Sequence, residues 1–415
     1  MKFQFIGNAA GIFHGSDGTK ILSDPWIIDG VFEGSWFHYP PLKTKFNDLK
    51  DIDAIYVSHI HPDHYDQRYF DFPKNLPIII LDEGPNFLKK NLMSRGYKNI
   101  ISVKDDETIN FKEFKLTLYK PFVGHIFEES LLGNLIDSAL VLENNGKIII
   151  NFNDNTPDIK ACEKIKEKFK KIDLALLNYN AAGPYPSCFD NLNEDEKKSE
   201  HNRLLKRNFD YLCDIIPKLD PEVMLPFAGS YILGGKNYEK NEYLGTTTSE
   251  NCADYLRTNL KCKSKIICMR ENQIFDLDLK NEHKYEKLDL DHMKKYINSI
   301  GTYKYDYEND PQTNVEKLTL DILDASTKFQ DRIQKFNIDL KTSIYIKING
   351  KLQKIYNGKE KDRSIICEMD NKLLRRILDK KSHWNNAEIG AHINFIRSPN
   401  VMEPDLHTCL SFFHL

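Results

Sequence analysis

Apolar and polar positions alternate in two rhythms along the first two thirds of the chain. Short, nearly continuous apolar runs bounded by Gly, Pro, Asn or Asp read as buried strands. They fall at Phe3 to Phe5, Thr19 to Leu22, Ile52 to Ser58, Pro77 to Leu81, Lys115 to Tyr119, Ser138 to Leu142, Lys147 to Asn151 and Leu174 to Leu177. Helical spacing appears over Pro85 to Arg95, whose apolar residues are Phe87, Leu88, Leu92 and Met93, and over Ile159 to Phe169. Pro85 suits a first helical position and Gly96 a stop. Asn144-Asn145-Gly146 signals a tight hairpin. Strands alternating with helices, and joined in places by hairpins, imply two sheets covered by helices.

The pattern then turns helical and charged from Glu194 to Leu219 and returns to strand at Glu222 to Phe227. Ser264 to Met269 and Gln273 to Leu277 are candidates to close this first unit, set at residues 1–280. Residues 281–314 are polar and lysine-rich, with Tyr303, Tyr305 and Tyr307, and read as a connecting segment. A smaller α+β unit follows over 315–415. It comprises a helix from Val315 to Phe336, strands at Ser343 to Ile348, Lys354 to Tyr356 and Ser364 to Met369, and a helix from Asn371 to Leu378. Internal repeats and low-complexity tracts are absent from the sequence.

Composition narrows the function classes. A chain of 415 residues with 40% hydrophobic and 11% aromatic content can build several packed cores. Its 58 basic and 61 acidic residues leave a net charge of −3, so no global field favours nucleic acid or a membrane surface. No apolar run spans a bilayer, and Met1 to Gly7 reads as a strand without the apolar region of a signal peptide. The eight cysteines are scattered without a CxxC pair. Free thiols, a cytoplasmic setting and no in-chain iron–sulfur cluster are the expectations.

The chemistry concentrates in His59-Ile60-His61-Pro62-Asp63-His64, immediately after the apolar run Ile52 to Ser58. Along an extended segment, residues at i and i+2 share a face, so His59 and His61 can hold one cation. The chain turns at Pro62 and leaves Asp63 and His64 facing a second position. Neutral imidazole and carboxylate are ligands that zinc, iron and manganese accept. His125, after the strand ending at Tyr119, is a candidate third imidazole for the first cation. Asp154, after Ile148 to Asn151, is a candidate bridge between two cations.

The His59-x-His61-x-Asp63-His64 pattern, with Asp24, His125 and Asp154, resembles the metallo-β-lactamase superfamily. The resemblance implies an αββα sandwich with metals at one edge of the paired sheets. It assigns His59, His61 and His125 to one metal, Asp63 and His64 to the other, and Asp154 to the bridge. Asp63, His64 and Asp154 are thus the candidate catalytic groups. Asp24 would support the metal loop by hydrogen bonds, or else cap a Ser-Asp-Pro turn. The superfamily's last histidine has no counterpart in Leu225 to Ser230, so the second metal is expected to lack a protein ligand.

A narrower resemblance is to CMP-N-acetylneuraminate hydroxylases. Asp24 to Trp36, Pro226 to Gly229 and His383 to Gly390 carry it, in their own places relative to the metal motif. It implies an iron-dependent oxygenase acting on a sugar nucleotide or a similar polar metabolite. Those enzymes also bear a Rieske module with cysteine and histidine ligands, which this sequence does not show. A separate electron-transfer protein is therefore an expected partner beside the small-molecule substrate. The same ligands suit a hydrolase of a phosphodiester, lactone or amide, with zinc or manganese in place of iron, because a bound cation acidifies water. A non-catalytic binding protein on the same fold is the remaining alternative.

Asn178 to Pro186 follows a buried strand and should lie at the same sheet edge. Tyr179, Asn180 and Tyr185 there, with Phe227, Trp36 and His383, are candidate substrate contacts. Trp26, His38, Trp384 and Arg397 are weighed with them, core packing being the alternative for the tryptophans.

Overall fold

The computed structural model of the protein describes residues 1–122, 137–281 and 285–413. Two seven-stranded mixed sheets dominate it. One runs, in spatial order, through Ile274–Asp276, Lys2–Gly7, Ala10–His14, Lys20–Ser23, Ala54–Tyr56, Ile78–Leu81 and Ile100–Val103. The other runs through Lys265–Ile266, Pro221–Phe227, Ile172–Asn178, Lys147–Asn151, Ala139–Asn144, Phe114–Tyr119 and Thr108–Phe111.

Side-chain alternation explains the layering. In Ile172–Asn178, Leu174 and Leu176 enter the core between the sheets, while Ala175 and Leu177 face the opposite way. The inner core takes Phe3, Phe13, Ile21 and Ile79 from one sheet and Leu116, Leu140, Ile149 and Leu225 from the other. Helices Ile159–Phe169, Glu194–Leu219 and Ser249–Asn259 cover the outer face of the second sheet with Cys162, Ile165, Leu212, Ile216 and Leu256. Leu88 and Leu92 of the helix Phe87–Ser94 cover the first. The result is an αββα sandwich. Strands buried on both faces need continuous apolar runs, which is why Ile78–Leu81 was legible at once.

The local signals act as the residue types require. Asn145 and Gly146 take φ of 48° and 72°, the left-handed pair of a tight hairpin between Ala139–Asn144 and Lys147–Asn151. Asn193 caps the long helix Glu194–Leu219 in a reciprocal box with Glu196. Ala10–His14, Ile100–Val103 and Thr108–Phe111 are strands that the apolar pattern passes over. The first contains Gly11, and the last alternates polar and half-buried residues. His14 therefore lies in a strand.

The C-terminal part forms a four-stranded sheet, in the order Lys351–Tyr356, Ser343–Ile348, Ser364–Glu368 and Asn394–Ser398, beneath the helix Val315–Lys335. Its core is shared: Ile344, Ile365, Leu373 and Trp384 pack in one cluster with Trp26, Val31, Phe32 and Trp36. Tyr305 and Tyr307, from the segment after the sandwich, are buried in that same cluster. The helix Leu290–Ile300 lays Met293, Tyr296 and Ile297 on Phe37, Tyr39 and Ile232. Among the described residues no helix is long and apolar enough to cross a membrane.

Candidate metal centre

The short strand Ala54–Tyr56 ends at the edge of its sheet, and the chain opens into Ser58 to His64. Lys147–Asn151 ends at the same edge of the other sheet and delivers Asp154 opposite that loop. His59, His64 and Asp154 place one ligand atom each within 4.8 Å of one another. His59, His61 and Asp137 form a second such group. His59 belongs to both, so the two positions adjoin. The chain has the metallo-β-lactamase fold.

No family model matches the chain. A Mycolicibacterium smegmatis protein, provisionally named a Rieske 2Fe-2S iron–sulfur protein, is 26% identical over 235 residues, 55% of this chain and 43% of that protein. The cytidine monophosphate-N-acetylneuraminic acid hydroxylase of Mus musculus is 24% identical over 282 residues, 62% of this chain and 44% of that enzyme. In both pairs the match spans less than half of the relative. Among solved structures, the isothiocyanate hydrolase from Delia radicum gut bacteria overlays 66% of this chain and 98% of its own. That overlay has a TM-score of 0.45 and 19% identity.

In this metallo-β-lactamase fold the ligand atoms face one another closely. His59 Nε2 lies 2.8 Å from His61 Nδ1 and 3.6 Å from Asp137 Oδ1. Two nitrogens bound to one cation at about 2.0–2.1 Å sit roughly 3 Å apart, so the His59–His61 approach suits a chelating pair. His64 Nε2 lies 3.3 Å from Asp63 Oδ2 and 3.5 Å from Asp154 Oδ2. It is buried without a hydrogen-bond partner. Aimed between two carboxylates, this buried ring nitrogen fits a cation ligand, or a proton held in the same place. His125 lies outside the described residues.

Supporting groups hold these rings in place. Asp24, fully buried at φ 41°, accepts the Ser58 backbone N–H at 2.8 Å and faces His64 Nδ1 at 3.2 Å. Its carboxylate thus fixes the far side of His64 and leaves Nε2 for the centre. Ser58 Oγ stands 3.0 Å from His59 Nδ1 and 3.2 Å from His64 Nδ1. Asn178 donates to Asp154 Oδ1 at 3.1 Å, leaving Oδ2 turned toward the histidines. Asn8 donates to Asp63 Oδ2 at 3.2 Å and accepts from the Ser230 N–H at 3.0 Å. It ties the His59–His64 loop to the Ala228–Ser230 turn.

Electrostatics divides the histidines. Burial, then the neighbouring His64 and His61, push His59 well below its usual range and keep its lone pair free. His61 is lowered by burial although Asp63 and Asp154 oppose it. Burial acts on His64 as well, but Asp63, Asp154 and Asp24 outweigh it and raise His64 well above its usual range. Burial alone would raise Asp63, yet His64 beside it holds that carboxyl below the ordinary range. A cation at His64 must therefore displace a proton that the three carboxylates retain.

The remaining candidates fall in different surroundings. His383 caps the helix Trp384–Ile389 and lines a cleft of about 720 Å³ between the metal loop and the C-terminal sheet's helices, with His61, Arg68 and Arg376. Tyr179 and Phe227 are buried on the wall of another cleft of about 660 Å³, near Asn8 and Ala228. Asn180 is occupied by backbone groups, donating to the Gly229 and Thr247 carbonyls. Trp36 is 2% exposed and stacked on Tyr231 with centroids 3.4 Å apart, so its indole is packing in the shared core. Tyr185 donates to Glu200 at 2.9 Å beneath the Arg397 guanidinium, within the seam to the C-terminal sheet. Sequence reasoning passed over Asn8, Ser58, Asp137, Asn178 and Asn385 as site residues. Asn178 and Asn385 did stand inside stretches singled out for other reasons.

Proposed function

We propose that the protein is a metal-dependent enzyme whose chemistry is iron-dependent oxidation, hydroxylation above all, of a small polar metabolite such as a nucleotide-linked sugar. The observation that carries the metal reading is the convergence of His59, His64 and Asp154 from two sheets, with His64 Nε2 buried between the Asp63 and Asp154 carboxylates. His59 and His61 would hold one cation and Asp63 and His64 the other, with Asp154 between them. His125 would be the third imidazole of the first. Bound iron would supply the one-electron and dioxygen chemistry of an oxygenase.

Two features support oxidation over hydrolysis. The turn Ala228–Ser230, tied to Asp63 through Asn8, contains no histidine, in keeping with a second cation that keeps an open position for a small co-substrate. One of the sequence relatives is named a hydroxylase of a nucleotide-linked sugar. The 720 Å³ cleft beside His61 supports a polar substrate, since Arg68, Arg376, Lys380, Lys381 and His383 line it. The chain's own work is to keep His59 neutral, to orient His64 through Asp24, and to hold Asp154 through Asn178. Electrons would come from a separate carrier protein, in keeping with a cytoplasmic redox chain.

The test is elemental analysis and a visible spectrum of protein purified without added metal or chelator, followed by oxygen uptake with a reductant. Iron near two equivalents with oxygen uptake on a nucleotide-sugar is the expected result. Zinc with no oxygen demand would transfer the site to hydrolysis. Absence of any transition element, with no response to added Fe(II) or Zn(II), would overturn the metal reading itself.

A further inference from the structure

His61 differs from the other ligands in where its support comes from. Its Nδ1 faces His59 Nε2, and its Nε2 lies 2.9 Å from Asn385 Oδ1, 324 residues along the chain. Asn385 belongs to the helix Trp384–Ile389 of the C-terminal unit. That helix is firmly placed. His383 caps it through Asn385 N–H, and Trp384 is fully buried and donates to Glu388. Phe32, packed in the same cluster, sets its ring 6.3 Å from His61. The Phe32 carbonyl accepts a hydrogen bond from His392 at 2.8 Å. The C-terminal unit therefore reaches His61 by two routes, directly through Asn385 and indirectly through the Phe32 that His392 holds.

An imidazole that gives one nitrogen to a cation must carry its proton on the other. An amide oxygen beside Nε2 accepts that proton and leaves Nδ1 bare on the side of His59. We propose that Asn385 is a positioning residue for the metal centre. It selects the His61 form that carries its proton on Nε2, so that Nδ1 and His59 Nε2 present lone pairs to one cation. Cation binding and seating of the C-terminal unit are thereby coupled, each strengthening the other. This inference rests on the metal reading above but makes a separate claim, namely that half of the first position is completed from outside the sandwich.

The full-length protein, stripped with chelator, would be titrated with Zn(II) against a chromophoric competitor. Asn385→Leu keeps much of the volume and removes the acceptor; Asn385→Asp keeps an acceptor. The expected result is about 10–100-fold weaker Zn(II) binding in Asn385→Leu, with Asn385→Asp close to the parent. The parent should also gain thermal stability on adding Zn(II), and Asn385→Leu should gain less. Nitrogen-15 spectra of histidine-labelled, Zn(II)-loaded parent protein should show His61 protonated on Nε2, a readout that needs no variant to fold. Equal affinity in parent and Asn385→Leu would overturn the inference, as would His61 protonated on Nδ1. Weak binding in Asn385→Asp alone would do the same, because it would mean that the amide donates. If the parent itself binds no cation, the metal reading fails first and this inference falls with it. Parent binding with no effect at Asn385 removes only the second.

Discussion

His64 and His61 sit three residues apart in the sequence and are supported in opposite ways. His64 is backed by Asp24, a fully buried carboxylate on a neighbouring strand end of the same sandwich. His61 is backed by a neutral, half-buried amide from the C-terminal unit. The first support is a charge pair that forms whenever the sandwich folds. The second reaches across from a part of the chain that shares one core with Trp26, Val31, Phe32 and Trp36. On the proposed reading of the centre, one half is intrinsic to the sandwich and the other is conditional on contact with the C-terminal unit.

The comparison breaks most directly at the ligands themselves. His59→Ala or His61→Ala should weaken cation binding by more than about 100-fold, beyond the 10–100-fold typical of outer-shell changes. Retention of full metal content in either variant, by elemental analysis, would remove that residue from the centre. Asp24→Ala tests the intrinsic half. It leaves His64 Nδ1 and the Ser58 N–H facing an apolar hole, so unfolding should become easier by about 3–5 kcal/mol even without cation. Denaturant titration of the stripped protein reads this directly, and a loss under ~1 kcal/mol would show that Asp24 is no more than a turn cap.

Arg376→Met tests the conditional half. Arg376 bonds Asp310 and reaches Glu33 at 3.0 Å, and Glu33, raised by burial, is otherwise held by Ser382. Loosening that seam should cost about 1–3 kcal/mol in stability and weaken Zn(II) binding several-fold, although Arg376 bonds none of the ligands. Asn8→Ala should have the smaller effect of about 1–2 kcal/mol, since it frees one Asp63 oxygen and the Ser230 N–H.

The seam also carries a pH dependence. His392, fully buried against Phe32 and Tyr307, with Lys240 and Lys236 nearby, is held neutral with its pKa lowered to about 3, chiefly by burial. Below about pH 6.5 the unfolded chain takes up a proton that the folded chain refuses. Stability should therefore fall as pH drops from about 6.5 toward about 3, by up to about 1.4 kcal/mol per pH unit for this group. His14, lowered to about 4, adds in the same direction. His392→Gln should flatten the slope between about pH 6.5 and 5 relative to the parent. An unchanged slope would show that His392 contributes nothing to it.

Much of the sandwich was legible because burial on both faces leaves no freedom in residue type. Ile78–Leu81 and residues 174–177 are apolar throughout, and nothing else suits a strand packed between layers. The six-residue loop was legible for a similar reason, since imidazoles and a carboxylate at a strand end have few other uses. The supporting shell was not legible. Asn8, Asn178 and Asn385 are ordinary polar residues whose partners lie 55, 24 and 324 residues away. Asp24 entered through the resemblance, and its charge pair became visible only with the fold. Trp36 was misleading because an aromatic residue near a candidate site and one in a shared core have the same local pattern.

The turn Val31–Gly34 holds Phe32 and Glu33 at φ 53° and 59°, between Gly30 and Gly34 at 89° and 94°. Side chains bearing a Cβ resist that conformation by about 1–3 kcal/mol each. The C-terminal unit is what makes it tolerable, through His392 on the Phe32 carbonyl and Arg376 with Ser382 on Glu33. Cut away from that unit, the turn would relax and carry Phe32 off His61. The two parts of this chain are therefore poor candidates for shuffling: a sandwich transplanted alone would arrive with the surroundings of His61 already out of true.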